Sequence, residues 1–233
     1  MISVFTVAYN EELQIKFLID HYRSRFPECH IIVYDNMSTD GTVKIAKEND
    51  CQILLYDTGE KINDSKYLEI KNNCWKQAKT DWVLICDVDE LLDINQNQLK
   101  EEGYLGATVI KSEGYNMINM EDNLDIASIT HGVRHAFSDK SYLFNKKYIQ
   151  EINYEPGCHK SNPVGTVSLS KEAYKAYHYN FINADMSVEK YKTYAKRLSP
   201  ENIQKGWGVH YTMPEEKIRA EFLELRKNAV KLF

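Results

Sequence analysis

Four short apolar runs separated by helical patterns restrict the first half of this chain to very few folds. ISVFTVAY (2–9), HIIVYDN (30–36), QILLYD (52–57) and WVLICDVD (82–89) are rich in β-branched and aromatic residues and read as strands. Between them, residues 11–25 place Leu13, Phe17 and His21 or Tyr22 at helical spacing and stop before Pro27. STDGT (38–42) reads as a turn, and residues 42–50 and 65–79 read as helices. The order βαβαβαβ needs crossover helices between parallel strands. It therefore predicts an α/β domain with helices on both faces of the sheet.

The second half is less regular. Residues 107–118, 140–149 and 173–182 read as strands, and 187–198 and 214–232 as helices. In the last helix Ile218, Phe222, Leu225, Ala229 and Leu232 share a face, which predicts a core-covering stripe. Docking of that stripe to a membrane or a partner is the alternative. No linker or repeat interrupts the chain, so residues 1–233 are expected to form a single domain.

Net charge is −5 with no basic stripe, which argues against nucleic acid as the main partner. There is no long apolar span, and Met1-Ile2-Ser3-Val4 reads directly as a strand. The expectation is a cytoplasmic protein without a transmembrane segment, with peripheral membrane contact left open. Five cysteines without CxxC spacing read as buried free thiols.

The chemistry concentrates at the strand ends. In DWVLICDVDELL (81–92) an apolar run leads into Asp87, Asp89 and Glu90, with Asp93 just beyond. Like charges that close repel, and desolvation adds to the cost, so something positive belongs there. Open α/β sheets bind ligands beyond the carboxyl ends of their strands. Those ends carry Tyr9-Asn10-Glu11, Asp35-Asn36, Asp57 and Asp87-Val88-Asp89. Alternation along an extended chain places Asp87 and Asp89 on one side, with Val88 pointing away. Two such carboxylates suit Mg2+ or Mn2+, which complete their shells with water and phosphate oxygens. The competing expectation is that Asp89 caps a short helix over residues 90–94.

Taken as a set, VAYNEE (7–12), IIVYDNMSTDGT (31–42), LEIKNN (68–73) and DWVLICDVDELL (81–92) resemble the family-2-like glycosyltransferases of the GT-A fold. The resemblance spans about the first 95 residues, which it implies are the nucleotide-binding half; residues 96–233 would be the acceptor-side half. It implies a mostly parallel central sheet and transfer of a sugar from a nucleotide-diphosphate donor to a hydroxyl acceptor, such as a glycan or lipid-linked glycan. By that resemblance Asn10 and Glu11 lie beside the nucleotide, and Asp35 accepts hydrogen bonds from base or ribose. Asp40 is a further, weaker candidate. Lys71-Asn72 fall where the family commonly carries Arg-Asn near the donor, and Lys makes bidentate contacts less assured. Asp87 and Asp89 are the D-x-D pair, with Asp89 the closer metal ligand and Asp87 and Glu90 beside the donor. A late histidine completes the metal shell, and His178 in AYHYNF and His159 in PGCHKSNPVG compete for that place, His178 being favoured for the metal and His159 for a substrate contact.

A divalent metal would neutralise charge developing on the departing diphosphate. Lys140 is able to add to this, although a solvated surface lysine is the simpler expectation. The usual Glu-Asp pair supplying a base for an inverting transfer is not evident. Asp139, Glu155 and Glu90 are candidates, and Asp139 is chosen. A sugar-1-phosphate nucleotidyltransferase would open with a Gly-rich loop where this chain has AYNEE, and a Rossmann enzyme would carry G-x-G-x-x-G. A degenerate domain that binds a nucleotide sugar or glycan without turnover is the remaining alternative.

Overall fold

The computed structural model of the protein describes residues 1–121 and 125–233. The first half is built as expected from β1 (Ile2–Ala8), α1 (Ile15–Arg25), β2 (His30–Asp35), α2 (Thr42–Glu48), β3 (Gln52–Leu55), α3 (Asp64–Asn73) and β4 (Trp82–Asp87). These four strands are parallel and lie in the order β3-β2-β1-β4. Then follow β5 (Glu90–Leu92), α4 (Gln96–Tyr104), β6 (Val109–Ile118), β7 (His131–Arg134), β8 (Leu143–Asn145), β9 (Ile149–Glu151), β10 (Val164–Gly165) and β11 (Leu169–Phe181). The chain ends with α5 (Ala184–Arg197), α6 (Pro200–Lys205), α7 (Glu215–Asn228) and β12 (Val230–Lys231). Beyond β4 the sheet continues antiparallel through β8, β6, β7 and β12. The long strand β11 runs parallel to β6 and antiparallel to β5. The result is a mixed α/β fold with a mostly parallel central sheet.

Apolar clusters pack on both faces of the sheet. Ile15, Leu18, Ile19 and Tyr22 recur every three or four residues on α1 and are all 0% exposed. That helix also fixes the chain that leaves the acidic stretch. The Leu92 amide donates to the Tyr22 hydroxyl at 3.1 Å, and His21 Nε2 lies 3.0 Å from the Leu92 carbonyl. α1 thus holds β5, and with it the turn carrying Asp89.

Four expected elements change shape. The strand expected over 82–89 stops at Asp87, and residues 90–92 form β5 rather than the short helix that Asp89 would have capped. The helix expected over 65–79 gives way after Asn73 to a tighter turn, Cys74–Gln77, which turns Trp75 edge-on to Phe144 at 5.1 Å. The strand expected over 140–149 divides into β8 and β9. Asn145 takes the Lys147 amide on its side chain and the Tyr148 amide on its carbonyl, a local turn that outcompetes the ladder. The C-terminal helix ends at Asn228, and Val230–Lys231 add an edge strand instead.

Ile218 and Phe222 are buried, Leu225 and Ala229 pack with Ile118 and Phe181, and Leu232 lies on the main core. The stripe covers core and is not free for docking. Among the described residues no helix is long and apolar enough to cross a membrane.

Gly114 of β6 lies under the turn Ala136–Ser138. A Cβ there would sit 2.4 Å from Ser138 Cβ and 2.7 Å from its backbone. Gly114→Ala is therefore expected to cost about 1–3 kcal/mol, from the strain of overpacking. A thermal melt should show this as a fall of roughly 2–4 °C per kcal/mol. The same close approach positions the Asp139–Lys140 pair that follows the turn.

Candidate active site

The rim at the carboxyl ends of β1, β2 and β4 is held together by its own loops. Asn10 Oδ1 accepts from the Thr39 amide at 2.8 Å, and Glu12 Oε2 from the Gly41 amide at 2.8 Å. Asp40 Oδ1 takes the Thr42 amide, while its Oδ2 takes the Glu12 amide. Asn10 and Asp40 therefore splice the β1 loop to the turn after β2. Asp35, next along the rim, is 1% exposed. Its Oδ2 accepts from the Ser38 amide at 2.9 Å, and its buried Oδ1 has no partner among the described residues. An aspartate oxygen left unmatched inside a protein is costly unless something completes it.

The acidic stretch is neutralised by three lysines from three distant elements. Lys71 of α3 reaches Asp87 Oδ1 at 2.5 Å. Lys140 binds Glu90 Oε1 at 2.5 Å and lies 3.9 Å from Asp87 Oδ2. Lys190 of α5 binds Asp89 Oδ2 at 2.8 Å. Burial pushes the Asp87 carboxyl up, but Lys71 and then Lys140 outweigh it and hold the group below its usual range. Asp89 is likewise buried, yet Lys190 and His178 hold it well below that range. Asp93 stands apart, bound to Arg25 at 2.6 Å and accepting from the Tyr177 hydroxyl at 2.9 Å.

His178 sits on β11 opposite Glu90 of β5. Its Nε2 is 3.5 Å from Asp89 Oδ2. Neighbouring ligands of a cation bound at about 2.1 Å are roughly 3 Å apart in an octahedral shell, so this pair fits a divalent ion with small adjustment. The buried His178 Nδ1 has no partner among the described residues. No cluster of three or more His, Cys, Asp or Glu side chains able to hold a metal is present among them. A metal here would use Asp89 and His178, with the Asp87 carboxylate adjacent.

Residues 3–99 match the family model described as glycosyl transferase family 2. No curated protein matches the chain. Among solved structures, TarS 1–349 of S. aureus in complex with UDP is 17% identical, with 95% of this chain and 70% of that chain aligned and a TM-score of 0.49. Glucosyl-3-phosphoglycerate synthase of Mycobacterium tuberculosis, in complex with Mn2+, UDP and glucosyl-3-phosphoglycerate, is 16% identical over 84% of this chain and 79% of that chain, with a TM-score of 0.46. The mannosyltransferase PcManGT of Pyrobaculum calidifontis, in complex with GDP-Man and Mn2+, is 12% identical over 96% and 73%, with a TM-score of 0.44.

Several expected roles need correction. Asn72 does not face the donor cleft as expected: its side chain pairs with the backbone of Tyr154, accepting at 2.8 Å and donating at 3.3 Å. Asn10 joins two loops through its side-chain carbonyl and lines the cavity beside Glu11. Asp139, expected as the base, has both oxygens engaged, Oδ1 by the Gly114 amide at 2.7 Å and Oδ2 by Arg134 at 2.6 Å. Both oxygens are thus committed to protein partners. Lys140 is not a solvated surface lysine, since its side chain and that of Glu90 are each 4% exposed.

His159 packs against Phe137. Nδ1 lies 2.8 Å from the Phe137 carbonyl, to which it donates, so Nε2 carries the lone pair. The ring stacks on Phe137 at 3.9 Å, and burial with Lys140 nearby lowers its pKa to about 4. Gly157 has φ 74°, and a Cβ there would meet the imidazole at 2.6 Å. Glycine is required for this loop shape.

No local pattern marks Lys190, Tyr194 and Arg197 as site residues. Their spacing on α5 does mark one basic and aromatic helix face, but nothing in it says which surface that face covers. Tyr194 donates to Glu11 Oε1 at 3.5 Å. Burial raises the Glu11 pKa from 4.5 to about 8 even though the residue keeps some exposure at the rim. An acid whose folded pKa is raised holds its proton while the unfolded chain releases it. Folding stability is thus expected to fall as pH rises from about 4.5 to about 8. Urea melts across that range should show a flatter slope for Glu11→Gln than for the wild type.

Proposed function

We propose that the chain transfers a sugar from a nucleotide-diphosphate donor to a hydroxyl acceptor of glycan type, with a divalent metal and inversion at the anomeric carbon. The observation that carries this reading is the joining of Asp35, Asp87 and Asp89 on one rim with buried lysines behind them. The unmatched Asp35 oxygen suits an N–H of the base or a ribose hydroxyl. Asp89 and His178 would hold Mn2+ or Mg2+, and the ion would stabilise negative charge on the leaving diphosphate. Lys71 and Lys140 pair with Asp87 and Glu90, which offsets the negative charge of the cleft. His159 Nε2 is able to accept a hydrogen bond from the acceptor hydroxyl and orient its oxygen. With a pKa near 4 it accepts a hydrogen bond rather than a full proton at neutral pH.

The test is a screen of UDP-, GDP- and TDP-sugars with Mn2+, read by melting temperature and by released nucleoside diphosphate. A donor present at a hundred times its Kd stabilises by about 2.7 kcal/mol, a shift of roughly 5–10 °C. Stabilisation without release of nucleoside diphosphate, with or without acceptors, would favour the binding module. No shift with any donor would end the nucleotide-sugar reading.

A further inference from the structure

The α5 face lies across the donor cleft as a strap. Lys190, Tyr194 and Arg197 are spaced by four and three residues and so share one side of the helix. Lys190 Nζ binds Asp89 Oδ2 and Asn180 Oδ1, both at 2.8 Å. Tyr194 meets Glu11, and the Arg197 guanidinium stacks 3.4 Å from the centre of the Tyr9 ring. Past the helix, the Ile62 amide donates to the Arg197 carbonyl at 2.7 Å, closing the strap onto the loop before α3. Between the strap and the β1 loop is a cavity of about 340 Å³, lined among others by Tyr9, Glu11, Lys190 and Tyr194.

The same Asp89 oxygen serves two partners, Lys190 and His178. A divalent ion placed between Asp89 Oδ2 and His178 would share that oxygen with an ammonium group, and the two cations repel strongly at such range. One must leave. A donor diphosphate offers the displaced ammonium a new anionic partner within the same cleft, so the exchange becomes favourable only when metal and donor arrive together.

We propose that Lys190 is a built-in cation that holds Asp89 against the divalent metal until the donor binds, so that metal entry also unpins α5 from the cleft. This rests on the reading of Asp89 as a metal ligand, and it adds the regulation of that site. Metal affinity and donor affinity are then coupled, each raising the other.

The experiment measures Mn2+ binding without donor, by calorimetry or by the paramagnetic resonance of free ion. It compares wild type, Lys190→Gln, Lys190→Arg and Asp89→Asn. Lys190→Gln keeps a hydrogen-bonding group but loses the charge, and should bind Mn2+ about tenfold more tightly. Lys190→Arg should stay near wild type, and Asp89→Asn should bind no measurable Mn2+. Equal or weaker Mn2+ binding by Lys190→Gln, with Asp89→Asn still defective, overturns the role of Lys190 and leaves the metal site standing. Unchanged Mn2+ binding by Asp89→Asn overturns both. Hydrogen exchange on the wild type supplies a measure independent of any variant's folding. Saturating Mn2+ together with the donor found by the screen should speed exchange of the amides of residues 184–197, and unchanged exchange there counts against the proposal.

Discussion

Asp89→Asn is expected to lower metal-dependent sugar transfer by about 10²–10³-fold, the range seen when one charge-stabilising group is removed from an active site. The substitution keeps the shape of the side chain and removes its charge. Lys190 loses its ion-pair partner, but its side chain is 22% exposed and can turn toward water. The loss should therefore fall on turnover far more than on folding. The check is initial rate with the donor identified by screening, beside a melting curve. A variant within a few-fold of wild-type rate would remove Asp89 from the mechanism. The depressed pKa of Asp89 carries a stability consequence as well. A carboxyl held below its unfolded value stabilises the fold above about pH 4, and that contribution is lost as pH falls through the folded value. Acidification below pH 4 should unfold wild type more steeply than Asp89→Asn.

Lys140→Met should have the largest effect on stability, costing about 3–5 kcal/mol, because it strips the buried Glu90 carboxyl of its partner. The pair is closed from solvent on both sides, so no rearrangement of the lysine or glutamate toward water offers relief. At 2–4 °C per kcal/mol the melting temperature should drop by roughly 6–20 °C. Adding Glu90→Leu to Lys140→Met should recover most of that loss, since replacing a buried pair by apolar groups is often neutral. A double variant as unstable as the single one would show that Lys140 acts through packing, not charge. The same single variant removes the second lysine near Asp87, so its activity should fall even at temperatures where it remains folded.

The parallel β1–β4 core was legible from the sequence because each strand is a short run of branched and aromatic residues flanked by helical spacing. Local pattern suffices for that. The strand ends were legible too: Asp35, Asp87 and Asp89 do come to one rim, as the register of β1 with β2 and β4 requires. What pattern could not supply was the partner of each carboxylate. Lys71, Lys140 and Lys190 lie 16, 50 and 101 residues away in sequence from the acids they bind. A metal was the only positive charge that local reading could offer to Asp87, Asp89 and Glu90; the folded chain provides three ammonium groups. The partners of Asp139 and Asn72 were hidden for the same reason. A polar side chain looks alike in sequence whether it faces a ligand or ties a backbone amide, and only packing against Gly114 or Tyr154 decides which. Short-range side-chain spacing fixed the elements, whereas charge pairing across the sheet was set by tertiary contacts, because electrostatic partners are chosen by distance in space and not along the chain.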